Sequence, residues 1–269
     1  GQSDKSHPCL NIIALIAFAA AVVSTVSSPD LSMHRSVGND IVGRGAFILL
    51  EGVDRCGKTT QTKMLADTLS AARHAAPSGA IDDQNMPPRA TLMRFPDRTT
   101  TIGQMINGYL ANGVDMDDRA IHLLFSANRW EARAKIEDTL RAGTTIVCDR
   151  YAYSGVAFSG AKEGLSVEWC MAPDRGLPCP DCVIYLDLSV EDAMQRGAFG
   201  EERYEKEEFQ RRVSDNFKAI MASDSTPWHV VDATKSIAEM QAEILAIAEA
   251  TQRQCRGKPI TGLWVDNPQ

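Results

Sequence analysis

The sequence predicts an α/β fold of three layers, a five-stranded parallel sheet with helices on both faces and a short lid. Two observations lead there. From Gly45 onward, short apolar runs alternate with helical patterns, as in a chain that crosses between parallel strands through helices. The first run also feeds into Gly52-Val53-Asp54-Arg55-Cys56-Gly57-Lys58-Thr59, which fits G-x-x-x-x-G-K-[ST] and precedes a helix-favouring stretch.

In chain order, the strands are expected at 46–50, 91–95, 144–148, 183–188 and 228–231, each with the aliphatic and aromatic content that central parallel strands require. Helices are expected at 58–72, 117–142, 190–196, 205–221 and 236–254, the second of them stopping at Gly143. Segment 75–89, with three prolines and small polar residues, reads as a surface loop. Gly197 and Gly200 bracket a charged stretch with the composition of a hinged lid, which would exclude water as a competing acceptor.

A chain of 269 residues with no linker or repeat in its main body suits one domain, 41–269. Its net charge of −7 argues against a nucleic-acid surface, so any anion must be held by locally placed arginines. Seven scattered cysteines suggest reduced thiols and a cytoplasmic setting. Cys179 and Cys182 have C-x-x-C spacing without a second ligand pair, so they read as incidental. Residues 1–40 form a separate N-terminal extension: a leader, a targeting segment or a gene-model artefact, with Met33 as an alternative start. Its apolar run 12–23 is shorter than the roughly 18 residues that cross a bilayer, so membrane association of the main domain is not expected. Organelle targeting or anchoring would follow if that run is genuine.

The phosphate loop carries the first chemistry. A strand running through a glycine-flexible turn into a helix aims backbone N–H groups and the helix dipole at one point, which suits the polyphosphate of ATP or GTP. Lys58 would reach the β and γ phosphates, and the Thr59 hydroxyl would be a hard ligand for Mg2+. Asp149, just beyond an apolar run, would reach the same magnesium shell or orient Lys58. Arginines recur after the later strands, at Arg98, Arg150, Arg196 and Arg203. A GTPase switch needs few such cations, whereas phosphoryl transfer between two phosphorylated molecules needs several. Phe125 and Arg129, four apart on a helix, offer a stacking surface and a hydrogen-bonding fork on one face.

Five segments, E-G-V-D-R-C-G-K-T-T-Q from Glu51, R-F-P-D-R-T-T from Arg94, L-L-F-S-A-N-R-W-E from Leu123, D-R-Y-A-Y-S-G-V-A-F-S-G-A-K from Asp149 and R-G-A-F-G-E-E-R-Y-E from Arg196, resemble those of the thymidylate kinases within the P-loop nucleoside-monophosphate kinases. The Asp-Arg pair inside the loop is similar to the eukaryotic-type branch, in which the loop supplies the catalytic arginine. The resemblance implies a P-loop NTPase fold, a homodimer, and transfer of the ATP γ-phosphoryl group to dTMP, giving dTDP for dTTP synthesis. It makes Arg55, Lys58 and Asp149 catalytic and gives Thr59 and Asp149 to Mg2+. ATP falls to Gly52, Val53, Asp54, Arg55, Cys56, Gly57, Lys58, Thr59 and Thr60, with Arg196 and Lys235. Asp54 is implied at the acceptor 3′-hydroxyl, Phe125 on the thymine face, and Arg129 at its carbonyl edge. Phe95 and Arg98 would line base and phosphate, Arg150 would bind phosphate, and Tyr151 would exclude a ribose 2′-hydroxyl. Gly155 and Phe158 would complete the wall, and Glu205 would make an outer magnesium or sugar contact. No general base is needed, because a phosphate monoester is already largely a dianion at neutral pH. The alternatives are a UMP/CMP or other deoxynucleotide or nucleoside kinase, and an inactive nucleotide-binding scaffold. Cys56, beside the phosphates at a helix N-terminus, is expected to be open to thiol modification.

Overall fold

Five short segments pair side by side in a computed structural model that describes residues 43–71, 89–196 and 202–265. The extension 1–40, nearly all of the expected loop 75–89, and Gly197 and Gly200 lie outside the described residues. The strands are β1 (Phe47–Glu51), β2 (Ala90–Arg94), β3 (Thr145–Asp149), β4 (Cys182–Asp187) and β5 (Trp228–Asp232). Their order is β2-β3-β1-β4-β5, and every pairing is parallel.

Strand alternation divides the apolar residues between two cores. Phe47, Leu49, Ile146, Cys148, Val183 and Tyr185 belong to one cluster; Ile48, Leu50, Val147, Ile184 and Leu186 belong to the other. Helices α1 (Lys58–Ala71) and α9 (Ile237–Gln254) cover the second cluster with Leu65, Leu69, Met240, Ile244 and Ala248. The first is covered by α4 (Arg133–Arg141), α5 (Ala152–Ser159) and α8 (Glu207–Ser223). Only the inner strands are buried on both faces, apart from Asp187 at the end of β4. β2 and β5 are edges, with Leu92 and Val230 about half exposed, so the expectation that all five runs suit central strands fails for these two.

The remaining helices are α2 (Thr101–Leu110), α3 (Asp118–Glu131), α6 (Val167–Met171) and α7 (Val190–Gln195), with a 3₁₀ turn at Ala172–Asp174. The helix expected over 117–142 is two, broken at Ala132. Ala132 is a good helix former, so the break comes from packing: Trp130 and Arg129 are bonded to Pro173 and Asp174, while Ile136 and Leu140 turn to the sheet. Asp117 caps α3 by accepting from Arg119 and Ala120 N–H, and Ser236 and Glu239 form a capping box on α9. Among the described residues no helix is long and apolar enough to cross a membrane.

Candidate active site

The turn after β1 places the phosphate loop at the carboxyl edge of the central strand, where parallel sheets bind ligands. Gly52 has φ of 147° and its missing Cβ would lie 2.8 Å from both Cys56 Sγ and Leu186 O, so only glycine lets the loop pass. Gly57 has φ of 103° and opens directly into α1. Lys58 is buried and its Nζ donates to Val53 O at 2.6 Å. Thr59 Oγ1 donates to Asp149 Oδ2 at 2.7 Å, joining loop and β3. Asp149 Oδ1 is also buried and has no hydrogen-bond partner. An orphaned carboxylate oxygen beside a threonine hydroxyl is an oxygen donor set that fits a hard divalent cation.

The cleft beside the loop encloses about 460 Å³. Arg55 and Arg150, both at positive φ (64° and 68°), line it. Arg55 Nε pairs with Glu205 Oε1 at 2.7 Å. Arg150 pairs through Nη2 with Asp54, donates through Nη1 to Ser154 Oγ at 3.0 Å, and lies over the Phe158 ring at 5.1 Å. Burial would lower its pKa, but Asp54, Glu51 and Asp149 outweigh that and hold it above the ordinary arginine value. Asp54 is fixed further by Gln210, which accepts from its N–H at 3.0 Å and donates to its Oδ2 at 2.7 Å.

At the far end, Phe125 and Arg129 from α3 line the cleft with Phe95, Tyr151, Gly155 and Phe158. Arg129 Nε and Nη2 are bonded to Asp174 at 3.1 and 2.6 Å, both side chains nearly fully buried. A Cβ on Gly155 would come within 2.7 Å of Arg129 Nη2, so this glycine makes room for the guanidinium. Tyr151 is buried between Phe47 and Phe95, and its hydroxyl has no hydrogen-bond partner. Arg98, 40% exposed, is tied to Glu202 Oε1 and Asn107 Oδ1 at 2.8 and 2.9 Å.

The Lys235 side chain lies outside this cleft, its Nζ paired with Glu243 at 2.7 Å. Two expectations change. Cys56 has no exposed surface, and Lys58 Nζ lies 3.4 Å from its sulfur, so the thiol packs behind the loop rather than opening to reagents. Arg203 turns away, donating to Tyr109 O at 2.9 Å and to the exposed Asp115 carboxylate at 2.7 Å. Arg196 bridges the loop carbonyl of Arg55 and that of Ala233 at 3.1 and 2.7 Å. The sequence reading missed Glu51, Ser154, Gln210 and Asp174. Glu51 alone left a signal, a carboxylate at the end of a wholly buried strand. Burial pushes its carboxyl up from the usual range, opposed by Arg150 and by hydrogen bonds from Ser154 and Tyr151.

A P-loop protein whose cleft is faced by arginines on the acceptor side as well as the donor side is built as a nucleotide kinase, not as a switch. The thymidylate kinase family model matches residues 84–244. The human thymidylate kinase is 47% identical over 221 residues, 82% of this chain and 98% of the relative. That of Arabidopsis thaliana is 46% identical over 240 residues, 89% and 84%. The solved thymidylate kinase of Candida albicans superposes with a TM-score of 0.70 at 36% identity, covering 82% of this chain and 99% of its own. The chain belongs to the thymidylate kinase family.

Proposed function

We propose that this cleft is where the enzyme, a dTMP kinase, transfers the γ-phosphoryl group of ATP to dTMP to give dTDP. The observation that carries the residue-level reading is the convergence of Lys58, Arg55 and Arg150 on one cleft next to the Thr59–Asp149 pair. Gly52 to Thr60 hold the ATP phosphates by backbone N–H groups and Lys58, with Arg196 bracing the loop. Arg55 follows the phosphoryl group in flight, since its planar fork matches charge spread over three oxygens. Arg98 and Arg150 take the acceptor phosphate, Asp54 the 3′-hydroxyl, and Phe125 and Arg129 the thymine. Phe95, Tyr151, Gly155 and Phe158 shape the wall, and Glu205 orients Arg55. Thr59 and Asp149 are the residues that would hold Mg2+, which neutralises phosphate charge when bound. A cytoplasmic homodimer, with the kinase domain at 41–269 and 1–40 as an extension that is a leader, a targeting segment or a gene-model artefact, completes the reading; the free thiols among the described residues agree with a reducing setting.

Coupled ADP release with dTMP, dUMP, UMP and thymidine tests it. Turnover should be fastest with dTMP and negligible with thymidine, which lacks the phosphate that Arg98 and Arg150 bind. Strong UMP turnover with negligible dTMP turnover would remove the reading.

A further inference from the structure

Glu51 and Ser154 are assigned no ligand above, yet they stand directly behind Arg150. Glu51 Oε1 accepts from Tyr151 N and Ser154 N at 2.9 and 3.1 Å, and Oε2 accepts from Ser154 Oγ at 2.6 Å. Ser154 Oγ in turn accepts from Arg150 Nη1 at 3.0 Å. A guanidinium can only donate and a hydroxyl has a single proton, so the direction of this chain is set from Arg150 through Ser154 to Glu51.

We propose that Glu51 and Ser154 are positioning residues for the acceptor phosphate: Glu51 accepts the hydrogen bond of the Ser154 hydroxyl, which turns a serine lone pair toward Arg150 and fixes its guanidinium over the cleft. Two further features need such a brace. Arg150 stands at φ of 68°, a conformation unfavourable for arginine, and Glu51 holds the amide of the next residue. The other arm of Arg150 is drawn to Asp54, which a phosphate would compete with, and Nη1 is shared between Ser154 Oγ and Gly52 O at 3.0 and 3.2 Å, so the shorter, charge-backed serine contact keeps the side chain from following either partner. The proposal rests on the reading that Arg150 binds the phosphate of dTMP.

Steady-state kinetics and thermal unfolding of the full chain carrying Ser154→Ala, Glu51→Gln, both together, and Arg150→Ala test it. In Glu51→Gln the amide NH2 meets Ser154 Oγ, so the serine proton loses its carboxylate acceptor and no longer fixes the lone pair that faces Arg150. Each single variant should raise KM for dTMP about tenfold, the worth of one hydrogen bond to a charged group, leaving kcat and KM for ATP within about twofold. The double variant should be no worse than the weaker single one, as for links of one chain. Unchanged KM for dTMP in Ser154→Ala, or effects that multiply to about a hundredfold in the double variant, would overturn the proposal, as would a lowered Tm with KM unmoved. If Glu51→Gln fails to fold, Ser154→Ala decides alone. Arg150→Ala separates the layers: should it leave KM for dTMP unchanged, the Arg150 reading itself falls; should it raise KM while Ser154→Ala does not, only the brace falls.

Discussion

Replacing Asp174 by Asn should damage both stability and dTMP binding, although Asp174 touches no proposed ligand. Its carboxylate has no exposed surface and accepts from Arg129 Nε, Arg129 Nη2 and Ser126 Oγ at 3.1, 2.6 and 2.7 Å. Asn keeps one acceptor oxygen but sets an NH2 group against a donor, and the buried Arg129 charge loses its counterion. Breaking a buried pair from one side costs about 3–5 kcal/mol, and the retained oxygen argues for the lower end, about 3 kcal/mol. At roughly 2–4 °C per kcal/mol for a domain of this size, Tm should fall by about 6–12 °C. Arg129 would also lose the fork that aims it past Gly155, so KM for dTMP should rise by about tenfold or more while KM for ATP stays put. Thermal unfolding and coupled ADP release read the two effects. Asp138→Asn is the control, since its pair with Arg141 is exposed and worth at most about 1 kcal/mol. A Tm within about 2 °C of the parent together with an unchanged KM for dTMP would refute the reasoning.

Gly155→Ala pushes a methyl group to within 2.7 Å of Arg129 Nη2, a side chain that Asp174 prevents from yielding; KM for dTMP should rise by about tenfold or more, and an unchanged KM would show that the guanidinium moves freely. Lys58→Met should cut turnover by about a thousandfold or more with the fold intact by circular dichroism, and retained turnover would contradict the role given to the loop lysine. His122 is buried between Ser159 Oγ and Cys170 O, and burial, with Arg129 adding to it, lowers its pKa below the ordinary 6.5. The unfolded chain therefore binds the extra proton first, so stability falls as pH drops below about 6.5; His122→Gln should lose less stability in urea between pH 7.5 and 5.5, and equal losses would dismiss the assignment. Iodoacetamide should label Cys56 only in denaturant, because the native thiol is buried; native labelling would mean the loop opens.

The sheet was legible in the sequence because each strand is a run of apolar residues ended by a turn, and the observed strands differ from the expected limits by no more than a residue at either end. Helix α5 left no comparable trace. Seven of its eight residues are buried, so it has no polar face and no helical period to detect. α2 was missed for a different reason: its Thr100 cap, which accepts from Gly103 N–H, is the last residue of a loop motif read for its chemistry alone. At the site, residues that would touch ligands belong to contiguous motifs, as do Glu51 and Ser154 behind Arg150, whereas two others that hold them in place come from distant segments. Gln210 reaches Asp54 across 156 positions and Asp174 reaches Arg129 across 45, pairings that only the folded chain reveals. Arg203 is a further pairing of that kind, its guanidinium drawn to Asp115 across 88 positions.

The central claim is that an arginine of the phosphate loop, Arg55, neutralises the phosphoryl group as it passes from ATP to dTMP. Single-turnover transfer with Arg55→Ala and saturating dTMP measures this directly. Transfer should slow by about a thousandfold or more, the range for an arginine acting on the transition state, while both nucleotides bind within about fivefold of the parent. Transfer at the parental rate, with loss confined to nucleotide affinity, would contradict it.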